Sequence, residues 1–216
     1  MVNKIGIGIV GLGRVSQSHI DAIRLNPHIC QLTAVVDVNE ALAQSVAETC
    51  NTKYYTSVEQ ALLDPDIQAM IICLPHHLHK PVALQAMETG RHVLVEKPCA
   101  TNLADGKEMV AKSIEKKVVL MAGQSFRFIS ACREAKLRMK EEIGDPFNFI
   151  YIQACGFDEA SAPLWWQDMK KTGGHAFTTV GSHNLDLILW MYEGRTPIRV
   201  YSEARSVNPK FEGMDE

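Results

Sequence analysis

Over its first 122 residues the chain alternates between short, β-branched apolar runs and longer stretches whose apolar residues recur at helical spacing. Ile5, Ile7, Ile9 and Val10 form the first run, Leu32 to Val36 the second, and Met70, Ile71 and Ile72 the centre of a third within residues 68–74. Shorter strands are expected at residues 53–56, 91–95 and 118–122. Between these runs, residues 18–25, 40–49, 57–63, 81–89 and 101–117 read as helices, and Ser57-Val58-Glu59-Gln60 has the form of a capping box. Runs that are apolar at nearly every position, rather than every second one, suit strands buried on both faces, as in a parallel sheet. Strict alternation of strand and helix then predicts a doubly wound parallel α/β sheet. Right-handed crossovers place Gly11, Asp37, Pro75 and Lys97 on its carboxyl edge, where such sheets bind ligands.

The pattern changes after Gly123. Residues 129–142 read as a linking helix and residues 144–146 as a turn. Residues 147–157 alternate like an antiparallel strand, residues 177–192 are helical, and a strand follows Pro197 at residues 198–204. Fewer, longer elements without the earlier short alternation predict a separate α+β unit. The expected domains are therefore residues 1–122 and 123–216.

Composition narrows the function classes. Of 216 residues, 46% are hydrophobic and 22% charged, and the net charge is −3. No apolar run reaches the ~18 residues of a membrane span. The absence of a basic block argues against nucleic acid or a membrane surface as partner. Six cysteines without a C-x-x-C pair read as reduced thiols in a cytosol, so a cytoplasmic location is expected. The first strand begins almost at once, so no signal peptide is expected.

The residues 4–18, KIGIGIVGLGRVSQS, run from a strand through a glycine turn into a helix. In that context Gly11 permits a tight turn, and Gly13 lets backbone approach a pyrophosphate. The N–H groups of Arg14, Val15 and Ser16 at the helix start then face the anion. By itself the pattern also fits an ordinary strand–helix turn. Asp37 adds weight, because it ends the second strand 24 residues after Gly13, near the spacing of an acid that binds an adenosine ribose. NAD is favoured over NADP, since Asp37 repels a 2′-phosphate and Val38 and Asn39 offer no cation. Arg14 is the nearby cation that could reverse this preference.

Glu96-Lys97-Pro98 ends a strand on the same edge. Proline restricts the residue before it, so Lys97 is aimed rather than free, and a lysine there can hydrogen-bond the oxygen of a bond being oxidised or reduced. Thr179 and His183 lie four apart on a helix, and an imidazole is the side chain best suited to acid/base work near neutral pH, which makes His183 the candidate. A single helical histidine is more often structural. Trp165-Trp166 fits either a wall for sugar stacking or interior packing. His76-His77-Leu78-His79 lacks a cysteine or carboxylate at zinc spacing, so no metal is expected.

Three stretches carry a resemblance to the Gfo/Idh/MocA oxidoreductase family: GIGIVGLGRVSQSHI, AMIICLPHHLHKPVALQAMETGRHVLVEKPCA and GGHAFTTVGSHNLD. The resemblance implies a nicotinamide-binding Rossmann domain followed by a second domain with an open, mainly antiparallel sheet. It also implies hydride transfer at a hydroxyl-bearing carbon of a sugar, polyol or derivative. Lys97 matches the family's catalytic lysine and His183 its catalytic histidine. Gly11, Gly13 and Asp37 match cofactor positions, and Leu74, Pro75, His76, His79 and Glu96 match positions on the nicotinamide side. In the implied mechanism His183 takes the hydroxyl proton as hydride leaves for nicotinamide, and Lys97 stabilises the carbonyl oxygen. Lys97, Thr179, His183 and Trp166 are the expected substrate contacts. The chain departs from the family where an aspartate becomes Thr179 and the third glycine of a GGG becomes His175, which is itself a further pocket candidate. Family members also continue past residue 216, so a truncated product or partial sequence is expected, with a homo-oligomer through the second-domain sheet if that sheet is complete. A non-catalytic NAD-binding sensor, or a fragment that only binds cofactor, remains the alternative.

Overall fold

The computed structural model describes residues 4–153, 163–174 and 176–205, and these divide into two compact units at Gly123/Gln124. The first unit is a parallel sheet of six strands in the order β3-β2-β1-β4-β5-β6: β1 (Ile5–Val10), β2 (Cys30–Val36), β3 (Lys53–Tyr55), β4 (Ala69–Ile72), β5 (His92–Val95) and β6 (Leu120–Ala122). Helices α1 (Arg14–Leu25), α2 (Glu40–Cys50), α3 (Val58–Leu62), α4 (His79–Glu88) and α5 (Leu103–Lys116) alternate with them.

The continuous apolar runs have the expected cause. Successive residues of each strand face opposite sides of the sheet, and both sides are covered. Val10, Ala34, Val36, Met70, Ile72, Val93 and Val95 join one buried cluster with Ala83, Ala86 and Met87 of α4 and Met109 of α5. Ile9, Val35 and Ile71 join another with Ile20 and Ile23 of α1 and Ala43 and Ala47 of α2. Local chemistry starts the helices: the side chains of Asn39, Ser57 and Asn102 accept from the N–H groups of Leu42, Gln60 and Asp105. At the capping box Gln60 Oε1 reaches back to the N–H of Thr56, one residue before the cap.

The strand order reverses direction between β1 and β4. In an open parallel sheet that reversal opens a crevice at the carboxyl ends of those two strands. Gly11 ends β1 there, and Cys73 and Leu74 end β4.

The second unit contains α6 (Ser130–Arg138), which continues into a π-helical turn (Met139–Ile143), then α7 (Met169–Thr172), and a π-helical turn (Phe177–Gly181) leading into α8 (Ser182–Met191). The expected strands at residues 147–157 and 198–204 are corrected here: residues 147–153 and 198–204 form no ladder, and residues 154–157 lie outside the described residues. No strand of the expected antiparallel sheet occurs among the described residues of this unit. A strand requires a neighbour for its backbone groups. Here Phe147, Ile152, Ile198, Val200 and Tyr201 face solvent at 83–99% of their surface. No helix among the described residues is long and apolar enough to cross a membrane.

Candidate functional site

The glycine turn is built from backbone constraints. Gly11 has φ of +86°, and its N–H donates to Val36 O at 2.8 Å, which ties the end of β1 to β2. A Cβ on Gly11 would stand 2.6 Å from Cys73 O, so the turn lies directly against the end of β4. Gly13 caps α1 with extended backbone and no side-chain cap, and a Cβ there would meet nothing within 4 Å. The space beside Gly13 is therefore open at the start of α1, where Arg14 and Val15 carry the first N–H groups. Both residues are exposed. Ser16, in place of a third glycine, is buried and donates its hydroxyl to Gly13 O at 2.7 Å. This is a fit for a dinucleotide: backbone donors at a helix N-terminus, with room for a phosphate to come close.

Asp37 is part of the same turn. Its Oδ2 accepts the N–H of Leu12 and its Oδ1 that of Asn39, each at 2.9 Å. The carboxylate is thus oriented by backbone on both sides, and a carboxylate keeps further lone pairs for ribose hydroxyls.

The end of β5 completes the edge. Glu96 Oε1 lies 2.8 Å from His19 Nε2 of α1, and Glu96 Oε2 accepts the N–H of Lys97 at 3.2 Å. Burial by itself raises the Glu96 pKa, but His19, together with the N–H and ammonium of Lys97, holds it below the usual carboxylate value. Burial also lowers the Lys97 pKa, and Glu96 opposes that fall. The result is a half-buried cation beside an anion that a histidine holds in place. Nearby, burial and the Glu96 charge push the Cys73 thiol up to about 12, so Cys73 packs as a neutral group.

Leu74 and Pro75 lead from β4 into a 3₁₀ turn (His76–Leu78). His76 is buried, with its ring 5.7 Å from that of His79. His79 is fully buried, with Nδ1 2.8 Å from Pro98 O and Nε2 2.8 Å from Leu74 O. Burial lowers its pKa against the pull of those two carbonyls and of Glu96. His79 therefore joins the turn after β4 to the turn after Lys97, with its ring closed off from solvent.

The carboxyl edge of the first unit thus brings together Gly11, Gly13, Arg14, Val15, Ser16, Asp37, Leu74, Pro75, His76, His79, Glu96 and Lys97. His19 is a further member that the sequence does not single out; its one signal is its place one turn after Ser16 on α1. A concavity of about 460 Å³ opens elsewhere, lined by Gln31, Thr33, Lys53 and Asp66 near the strand starts. Its lysine is already engaged by Asp64 and Asp66 at 2.8 and 3.1 Å, so we place no site there.

In the second unit His183 lies in the first turn of α8, half-buried, with its ring stacked on Phe126 at 4.4 Å between centroids and 8° between planes. Thr179 lies in the π-helical turn before it. Trp166 belongs to a 3₁₀ turn (Leu164–Gln167) and meets Trp165 edge to face. His175 lies outside the described residues. Among the described residues no three His, Cys, Asp or Glu side chains converge as a metal site.

Comparison with known proteins agrees with this geometry. Residues 5–124 match the family model described as "Oxidoreductase family, NAD-binding Rossmann fold". Glucose-6-phosphate 3-dehydrogenase of Bacillus subtilis is 30% identical over 195 residues, covering 87% of this chain and 53% of that protein. The inositol 2-dehydrogenase/D-chiro-inositol 3-dehydrogenase of Shouchella clausii is 27% identical over 209 residues, covering 94% and 56%. The WlbA dehydrogenase of Bordetella pertussis, solved in complex with NADH and UDP-GlcNAcA, aligns with a TM-score of 0.74 at 28% identity, covering 88% of this chain and 56% of that one. The chain spans 50–60% of the length of the curated relatives it matches.

Proposed function

Because this chain belongs to the Gfo/Idh/MocA family of oxidoreductases with an NAD-binding Rossmann fold, we propose that it binds NAD and serves hydride transfer at a hydroxyl or ketone carbon of a sugar, polyol or derivative. The observation that carries the reading is the shared edge. Gly11, Gly13 and Asp37 form one hydrogen-bonded turn, and Lys97 stands beside Glu96, which α1 holds through His19. Bound nicotinamide would supply the hydride acceptor or donor. The N–H groups of Arg14 and Val15 would take the pyrophosphate, and Asp37 the ribose hydroxyls. Asp37 favours NAD, since a 2′-phosphate would meet its carboxylate and Val38 and Asn39 bring no positive charge.

Lys97, whose ammonium form Glu96 favours while burial disfavours it, would donate to the substrate oxygen and stabilise the charge that develops there. His79 would act from behind, its buried ring set between the Leu74 and Pro98 carbonyls and its single N–H donating to one of them. His183 is assigned the proton of the hydroxyl, with Thr179 and Trp166 as substrate contacts. The sugar and polyol relatives support this substrate class.

One observation favours a second reading. Thr179 stands where the family carries an aspartate, which takes away a carboxylate that could charge-stabilise His183. A non-catalytic NAD-binding sensor would tolerate that loss. Titration with NADH and NADPH, followed by fluorescence with Asp37→Ala as control, tests the cofactor. Tight NADH binding that the control loses supports the reading, and binding of neither nucleotide overturns it. Turnover on polyols and sugar acids that disappears in Lys97→Ala separates the enzyme from the sensor.

A further inference from the structure

The helix that carries His183 is gripped at two points by one short turn. Phe126 and Arg127 are neighbours in a 3₁₀ turn (Ser125–Phe128). Their partners on α8, His183 and Asp186, are three residues apart and so share a face of the helix. Phe126 lies flat on the His183 ring, 4.4 Å between centroids and 8° from parallel. Arg127 makes a two-pronged contact with Asp186, Nε to Oδ2 at 2.6 Å and Nη2 to Oδ1 at 2.5 Å. A planar fork on a carboxylate resists both rotation and sliding, which a single lysine contact would not. The Asp186 side chain is only 16% exposed, so this pair is partly shielded from solvent and from salt.

We propose that the Ser125–Phe128 turn sets the orientation of the His183 ring, with Phe126 as its positioning residue and the Arg127–Asp186 fork as the anchor that keeps the turn on α8. A side chain on a helix surface has several rotamers, and an acid/base group is effective in only one of them. A face contact selects the plane of the imidazole without using either nitrogen, since both lie on the ring's edge. The far end of α8 is also held, because Lys136 of α6 donates to Trp190 O at 2.6 Å. With both ends fixed, turning the His183 ring would require Phe126 to leave its face. The role in turnover rests on the assignment of His183 as the acid/base group, whereas the orientation itself does not.

The test uses the full chain with isotope-labelled histidine. A ring stacked on phenylalanine has its C2 proton shifted upfield by the ring current. Phe126→Leu is expected to move the His183 signal downfield and leave the other histidines in place, and Phe126→Tyr is expected to retain the wild-type shift. Arg127→Lys is expected to give an intermediate shift, and it keeps the test available if Phe126→Leu fails to fold. A His183 signal unmoved by both Phe126→Leu and Arg127→Lys overturns the proposal. In turnover assays, kcat is expected to fall about 10- to 100-fold in Phe126→Leu, with KM for the nucleotide unchanged and kcat restored in Phe126→Tyr. A lost stack with unchanged kcat overturns the positioning role. Shifts as expected in the variants, with a wild type that turns nothing over, support the orientation claim and count against the proposed reaction instead.

Discussion

The two glycines of the turn after β1 make a matched pair of substitutions with opposite expected outcomes. Gly11 has φ of +86°, and an added Cβ would lie 2.6 Å from Cys73 O and 2.9 Å from Cys73 C. Both obstacles are backbone, so neither can swing aside. Placing alanine in a left-handed conformation costs about 1–3 kcal/mol, and overpacking against a fixed neighbour costs about 1–3 kcal/mol more. Gly11→Ala should therefore lose roughly 2–6 kcal/mol, a large share of the ~5–15 kcal/mol that holds a domain together. Gly13 sits at φ −71° and ψ −176°, which alanine adopts freely, and its Cβ would touch nothing within 4 Å. Gly13→Ala should change stability by less than about 0.5 kcal/mol. Its methyl group would nevertheless stand at the start of α1, where a pyrophosphate would press against the backbone. Loss of one such contact at ~1.4 kcal/mol is a tenfold loss of affinity. Urea unfolding followed by circular dichroism, paired with NADH titration, reads both effects. Gly11→Ala should lower the unfolding midpoint by about 1 M or more, and Gly13→Ala should leave it unchanged while weakening NADH at least about tenfold. Wild-type NADH affinity in Gly13→Ala would refute the assignment of that helix start to a phosphate. An equal loss of stability in both variants would refute the steric account of the turn.

Three further outcomes follow from the same geometry. Lys97→Ala should abolish turnover and leave NADH affinity within a few-fold of wild type, and a parallel loss of both would move Lys97 from chemistry to cofactor binding. His79 has a pKa lowered by burial from an unfolded value near 6.5. The unfolded chain therefore binds the proton first, and stability falls as pH drops below about 6.5. His79→Gln should be less stable at neutral pH but flatter from pH 7 to 5 in urea midpoints, and parallel curves would show that His79 does not titrate between the two states. Asp64, with a side chain only 3% exposed, accepts from Lys53, the Tyr55 hydroxyl and the N–H of Asp66. Asp64→Ala should cost about 1–3 kcal/mol with NADH affinity unchanged, because these contacts lie away from the glycine turn; weakened NADH binding would contradict that separation.

Most of the first unit is legible from periodicity because its strands are buried on both faces and three of its helices, α2, α3 and α5, begin at side-chain caps. Both are local properties of the sequence. The carboxyl edge is legible for a related reason, since a parallel sheet must deliver every strand end to the same side. What escapes the sequence is pairwise and distant. His19 meets Glu96 across 77 residues, and His79 meets the carbonyl of Pro98 across 19. Phe126 meets His183 through a turn that no period announces. The expected strands after residue 146 fail for a different reason: residues 147–153 and 198–204 have strand-like composition, but β-propensity describes a fit to neighbouring strands, and none is present among the described residues.

The sheet of the first unit is bounded by its two shortest strands. β3 and β6 have three residues each, whereas β2 inside them has seven. An intruding strand laid against either border would find a template long enough for only a couple of backbone hydrogen bonds. Such a contact returns too little to repay the ordering of a whole segment. Brevity at the margins of the sheet thus leaves little backbone for templated pairing.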